Sequence, residues 1–400
     1  MTIQLAGSAS TQSRARRPLP PGAVSARTMS VVGEHEWVEI TRRNGEVYKQ
    51  RLLSWPGGQW GGIWGGAHES VLPPEIVGHA RRVGFGTQGS YGSHAEHDLA
   101  DALGEAVGDL FAVGDLACRF GLNGSDVCAM AVRVARHATG RSVIASSGYH
   151  GHSDSLAYQP ALGGIPKELS DLHRRFEFGD VNGMRQAAIG AACIMVEVPA
   201  WDDEEGITTF LRECRAECDR QGIPFILDEI VTGFRVAFGG VAERYGVKPD
   251  MAIYGKSMSA VGGASALVGD DRLVNLLADE VFYSGTFFGT PGPCAVSAAT
   301  IRWLKTNEDY VYGYLQEIGL NLKRGLSDIW GDGKVKAWTA GQAERFIVEF
   351  AAGETARREW CAQMIARGVM VDRPFFATLV HTAGDVEATL AAARLIEAGE

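Results

Sequence analysis

Two short apolar runs with charged ends constrain this chain more than any other feature. Ile223 to Leu227 is apolar and ends on the carboxylates Asp228 and Glu229. Met251 to Tyr254 is apolar and delivers Gly255 and Lys256. Runs of this length between polar segments read as buried strands. Open α/β sheets build ligand sites at the carboxyl ends of such strands, so the acid and the lysine face one crevice.

That pair is what a pyridoxal phosphate site needs. A lysine amine forms a Schiff base with the cofactor aldehyde, and a carboxylate against the pyridine nitrogen keeps the ring protonated. Once displaced by a substrate amine, the lysine is free to act as general base and acid. Singly, each residue has an ordinary reading: Asp228 capping a helix, Lys256 at the surface. Only their joint position on successive strand ends carries the chemistry.

The composition fits a large soluble α/β protein. Of 400 residues, 46% are hydrophobic and 22% charged, which leaves ample chain for a core. A net charge of −10 argues against nucleic acid or an anionic membrane as main partner. No apolar run approaches the ~18 residues of a membrane span. The seven cysteines (118, 128, 193, 214, 218, 294 and 361) form no second close pair beside Cys214 and Cys218. They read as free thiols in a reducing cytoplasm, with no metal site. The first 33 residues hold no Asp or Glu and carry Arg14, Arg16, Arg17 and Arg27. This reads as a tail before a fold starting near Pro20, the alternative being an organelle leader.

In chain order, Glu36 to Leu53 is expected to form a hairpin turning at Asn44-Gly45. Ser54 to Gly66, dense in Gly and Trp, is either an aromatic wall of a cavity or a packed loop. Helices are expected at Pro73 to Val83 and His94 to Phe111. A strand then leads to Asn123-Gly124-Ser125 before a helix from Val127 to His137. Small polar residues at a helix start form an anion site, although ordinary caps look alike. Ser142 to Ser146 is a strand ending in GYHGHSD, which puts Tyr149 and His150 at its end. A polar loop runs to about Asp180. Ala192 to Val198 is a strand carrying Glu197, and Gly206 to Gln221 is the crossover helix. Alternating strands and helices indicate a mostly parallel sheet. Ala264 to Gly269 is a further strand, and a Gly/Thr/Pro loop precedes a helix at Val296 to Lys305. The remainder mixes helices and strands. No G-x-G-x-x-G follows an early strand, so a nicotinamide dehydrogenase lacks its fingerprint.

Three ordered segments, LDEIVTGFR…GVKPDMAIYGK, GYHGHSD and GTFFGTPGPCAVSAATI, resemble the class III pyridoxal phosphate aminotransferases, and among them the glutamate-1-semialdehyde aminomutase branch. The resemblance runs from about Leu19 to the C-terminus. It implies the fold type I transferase architecture: a large cofactor-binding domain (71–300) around a mostly parallel sheet, a smaller α+β domain (301–400), and an N-terminal tail and segment (1–70) joining the latter. It assigns Lys256 to the Schiff base and Asp228 to the pyridine nitrogen. Ile230 lies beneath the ring, Tyr149 above it, His150 beside it and Glu197 along the pocket. Asn123, Gly124 and Ser125 stand where the family holds the phosphate with Ser-Gly-Thr. Thr286 reaches the phosphate of the other subunit, implying a homodimer with shared sites. Arg27 and Trp60 match residues that meet the substrate, and Glu229 and Arg235 are structural.

The departures fall on substrate recognition. The segment around Arg27 is about two residues shorter than the family's, and the stretch between Ser155 and Pro166 is abbreviated. Near Arg373 to Thr382 apolar residues replace an acid. The resemblance therefore implies an amino-group transferase acting between a small-molecule amino donor and a carbonyl acceptor through pyridoxamine phosphate. Its alternatives are an intramolecular aminomutase or an amino acid racemase or epimerase using the same site.

Overall fold

Each apolar run forms a strand, and most of the strands are short. The structure, a computed structural model, describes residues 23–32, 35–42, 47–55, 63, 72–82, 93–112, 114–156, 163–331 and 333–400. The chain divides into two units, one made from both ends (Met1–Val71 with Gly313–Glu400) and one from Leu72–Tyr312.

In the first unit, β1 (Ala23–Val32), β2 (His35–Arg42) and β3 (Val47–Ser54) form an antiparallel meander. The β2–β3 pair is the expected hairpin, and its turn at Asn44-Gly45 lies outside the described residues. β1 is a strand where the sequence reading expects none. It starts three residues after Pro20, and its pairing with β2 supplies the hydrogen bonds that an Arg- and Ser-containing segment does not advertise.

The Leu72–Tyr312 unit holds a seven-stranded sheet: β4 (Leu116–Gly121), β5 (Ile144–Ser147), β6 (His173–Arg175), β7 (Ile194–Val196), β8 (Phe225–Asp228), β9 (Met251–Tyr254) and β10 (Ser265–Asp270). Their spatial order is β4-β10-β9-β8-β7-β5-β6. β5 to β9 are parallel, and β10 runs antiparallel to both β9 and β4. β4 therefore points the same way as β9. β5, β7, β8, β9 and β10 are buried along their whole length, which explains their unbroken apolar runs. β6 corrects the expected loop to Asp180. As a three-residue edge strand reading His-Arg-Arg, it stays partly solvated and carries no apolar signal.

The helix Gly124–Thr139 lays Val127, Cys128, Met130, Ala131, Val134 and Ala135 on the sheet against Ile144, Met195, Ile226, Met251, Ile253 and Leu267. Fully burying an aliphatic side chain of this size is worth about 1.5–3 kcal/mol, so this layer fixes the position of the helix start. The helix begins three residues before the expected Val127, because Asn123 caps it.

The C-terminal part of the first unit contributes β11 (Ala337–Ala340), β12 (Arg345–Phe350), β13 (Val369–Met370) and β14 (Pro374–Phe376). β13 joins β3 in parallel, and β11, β12 and β14 form an antiparallel sheet. Helices Gly353–Ala366 and Ala383–Ala398 complete it. Trp55, 1% exposed, stacks on His381 at 3.9 Å and donates from Nε1 to Thr389 Oγ1 at 2.7 Å. This tryptophan of the Gly/Trp stretch is thus a packed core residue. Among the described residues no helix is long and apolar enough to cross a membrane, and no cluster of His, Cys, Asp and Glu would hold a metal.

Candidate active site

Because β4, β5, β7, β8 and β9 share one direction, their carboxyl ends open onto one edge of the sheet. β4 leads to Asn123, Gly124 and Ser125; β5 to Tyr149 and His150; β7 to Glu197; β8 to Asp228 and Ile230; β9 to Lys256. This is the crevice at which α/β sheets bind ligands.

Asp228 is 4% exposed and accepts from three donors. The Ile230 N–H reaches Oδ1 at 3.1 Å, and the His150 Nδ1 and the Cys128 thiol reach Oδ2 at 2.7 and 3.6 Å. An ionised carboxylate only accepts, so His150 Nδ1 carries the proton. Burial and the adjacent Asp228 push the Cys128 thiol well above its ordinary range, which keeps it a neutral donor. The Glu197 carboxylate accepts the Tyr149 N–H at 2.8 Å, anchoring the backbone while the Tyr149 side chain stays exposed.

Glu229 is fully buried. It takes the N–H groups of Val241 (3.0 Å) and Ala242 (2.9 Å) and the Thr232 hydroxyl. Burial nevertheless raises its carboxyl to about 7. It ties the end of β8 to the helix Gly240–Tyr245.

Lys256 has φ +46°, a left-handed conformation that a non-glycine residue adopts at a cost of about 1–3 kcal/mol. The backbone turns sharply from the extended Gly255 into a short 3-10 turn, Lys256–Met258. Such strain concentrates where a side chain must be held in one direction.

At the start of the helix Gly124–Thr139, Asn123 Oδ1 accepts the Asp126 N–H, and Asp126 caps the Asn123 N–H in return. The N–H groups of Gly124 and Ser125 precede any possible intrahelical partner and carry the positive end of the helix dipole. A Cβ on Gly124 or on Gly255 would lie 3.0 or 2.8 Å from Ile230 Cδ1, so Ile230 closes tightly between these two backbones. The loop after β5 also crosses the helix start closely. At Gly151, φ +101°, a Cβ would sit 2.2 Å from Ser125 Oγ.

These features fit a flat, phosphate-bearing ring such as pyridoxal phosphate. His150 Nε2 is buried and has no hydrogen-bond partner among the described residues. Ile230 supplies an apolar floor, Tyr149 an uncovered ring, and the helix start an anion cradle.

The structure thus gathers Asn123, Gly124, Ser125, Tyr149, His150, Glu197, Asp228, Ile230 and Lys256 on one edge. Thr286 is exposed in a turn at residues 286–289, in a loop whose Tyr283 hydroxyl donates to the Asp126 carbonyl at 2.7 Å. Arg27 lies on β1 opposite Glu39, with its side chain outside the described residues, as is all of Trp60. Sequence reasoning misses Cys128, which it counts only as a free thiol, and His152, whose Nδ1 lies 3.0 Å from Ser125 Oγ.

The model of the class-III aminotransferase family matches residues 192–381. A glutamate-1-semialdehyde 2,1-aminomutase of Thermus thermophilus is 30% identical over 346 residues, covering 79% of this chain and 77% of that protein. The enzyme of the same name from Acidobacterium capsulatum is 29% identical over 84% of this chain and 85% of its own. Among solved structures, an omega-transaminase from Sphaerobacter thermophilus superposes with a TM-score of 0.75 at 20% identity, covering 99% of both chains.

Proposed function

The chain belongs to the class-III aminotransferases, and from that premise we propose that Asp228 and Lys256 are the pair with which it moves an amino group from an amino donor to a carbonyl acceptor. Its cofactor is pyridoxal 5'-phosphate. When bound, this group supplies an aldehyde for amine capture and a ring that accepts the electrons left by a departing proton.

The chain's residues then divide the work. Asp228 presents a charge for the ring nitrogen, kept in place by Ile230, His150 and Cys128. Lys256 would hold the cofactor covalently and, once displaced by the donor's amine, its Nζ would take the proton from the carbon bearing that amine. Ile230 and Tyr149 hold the two faces of the ring, and His150 and Glu197 line its edge. Asn123 organises the helix start, at which Gly124 and Ser125 hold the phosphate. Arg27 and Trp60 meet the substrate. The carrying observation is the buried pairing of Asp228, at the end of β8, with His150, in the loop after β5, one strand away from the β9 end that delivers Lys256.

The enzyme works as a homodimer with shared sites, Thr286 reaching the phosphate in the other subunit. Support comes from the exposure of its neighbours Phe282 (83%) and Phe287 (56%), large apolar side chains that call for a cover. All seven cysteines are free thiols, which supports a reducing, cytoplasmic setting.

The test is the visible spectrum of the purified protein with pyridoxal phosphate, before and after L-glutamate or L-alanine. Bleaching of the visible band with release of the matching keto acid is the expected result. No visible band at all refutes the assignment of Lys256 and Asp228. The ~30% identity to proteins named aminomutases favours a second reading, intramolecular transfer on one substrate. A band that persists with every donor, together with isomerisation of a supplied substrate, would select that reading.

A further inference from the structure

His152 makes two contacts with one atom. Its backbone N–H donates to Ser125 Oγ at 3.2 Å, and its imidazole Nδ1 lies 3.0 Å from the same oxygen. A hydroxyl has two acceptor positions and one proton. The backbone N–H takes one acceptor position in every state. If Nδ1 carries a hydrogen and donates, both positions are filled and the hydroxyl proton is left to point away from His152. If Nδ1 is bare, it accepts that proton, and Ser125 has no donor to offer anything else.

We propose that His152 is a positioning residue for the cofactor phosphate: by donating from Nδ1 it turns the Ser125 hydroxyl proton toward the anion held at the helix start. This rests on the assignment of Gly124 and Ser125 to the phosphate. The residue does not touch the reacting atoms and acts only through Ser125. An independent feature of the backbone supports the arrangement. Gly151 brings the loop so close to Ser125 that any side chain there would collide with its hydroxyl, so the loop is built to deliver both His152 donors.

The prediction is selective for the phosphate. In the full-length chain freed of cofactor, affinity is compared for pyridoxal phosphate and for pyridoxal, which lacks the phosphate. His152→Ala is expected to weaken pyridoxal phosphate about tenfold (~1.4 kcal/mol) and leave pyridoxal unchanged. His152→Asn, whose side-chain amide can donate from nearly the same place, is expected to recover most of the loss. In a Ser125→Ala background, His152→Ala should add nothing further, because the atom it acts on is gone. Equal weakening of both ligands would overturn the proposal and mark His152 as a general support of the loop. So would full additivity with Ser125→Ala, or an unchanged affinity in His152→Ala. A wild-type chain that binds pyridoxal as tightly as pyridoxal phosphate would instead remove the phosphate assignment itself, and the proposal with it.

Discussion

Replacing Glu229 by Gln tests the electrostatics behind the strand end directly. The Glu229 carboxyl is raised from its ordinary 4.5 to about 7, because burial outweighs its three hydrogen bonds. Below pH 4.5 the group is protonated in both the folded and the unfolded chain. Between 4.5 and about 7 the unfolded chain releases the proton while the folded chain keeps it, so stability falls as pH rises. Above about 7 the loss is complete. At ~1.36 kcal/mol per pH unit it amounts to roughly 3 kcal/mol.

Glutamine cannot titrate. It also offers one acceptor to the Val241 and Ala242 N–H groups and the Thr232 hydroxyl, so the variant should be the less stable protein at pH 5. As pH rises from 5 to 8, wild type should lose roughly 2.5 kcal/mol that the variant does not lose, and the gap should close or reverse. Urea unfolding of the cofactor-free chain at half-unit steps from pH 5 to 8 measures this. All other titrating groups are common to both proteins and cancel in the difference. A gap that stays constant across the range would show that Glu229 is already ionised in the fold. The helix start at Gly240 would then outweigh burial, contrary to the reasoning here.

Three further outcomes follow from the site. Lys256→Gly and Lys256→Ala should both abolish the visible band, but the glycine variant should be more stable without cofactor by about 1 kcal/mol, since only glycine takes φ +46° freely; equal urea midpoints would remove the strained backbone from the account. Asp228→Asn places an amide N–H2 against either the Ile230 N–H or the two donors His150 and Cys128, whichever way it is turned. It should cost about 1–3 kcal/mol of stability and lower turnover by at least ~100-fold, and a variant with normal stability and rate would contradict the geometry. Thr286→Ala should weaken cofactor retention, and mixing it with a Lys256→Ala chain should restore one intact site per dimer. No recovery in the mixed dimer would place Thr286 in its own subunit's site or outside both.

What can be read from the sequence, and what cannot, divides along one physical line. Phe-Ile-Leu-Asp and Met-Ala-Ile-Tyr before Gly-Lys announce β8 and β9 because a strand buried on both faces writes its burial into consecutive residues. The parallel order then follows from the crossover helices, and with it the placing of Asp228 and Lys256 at the ends of neighbouring strands. β6 is silent because a half-solvated edge strand has no need of apolar residues. Contacts made by one side chain across a long separation leave no local pattern at all. Cys128 lies 100 positions from the carboxylate it touches, and Ser125 lies 27 from His152. The φ of Lys256 is invisible for a different reason: a lysine after an apolar run carries no mark of the left-handed backbone, which only the fold imposes. The residues proposed to carry the reaction are therefore legible, while those that hold them in place are not. A variant that spares the first group and disturbs the second, such as His152→Ala, separates orientation from chemistry most directly in this enzyme.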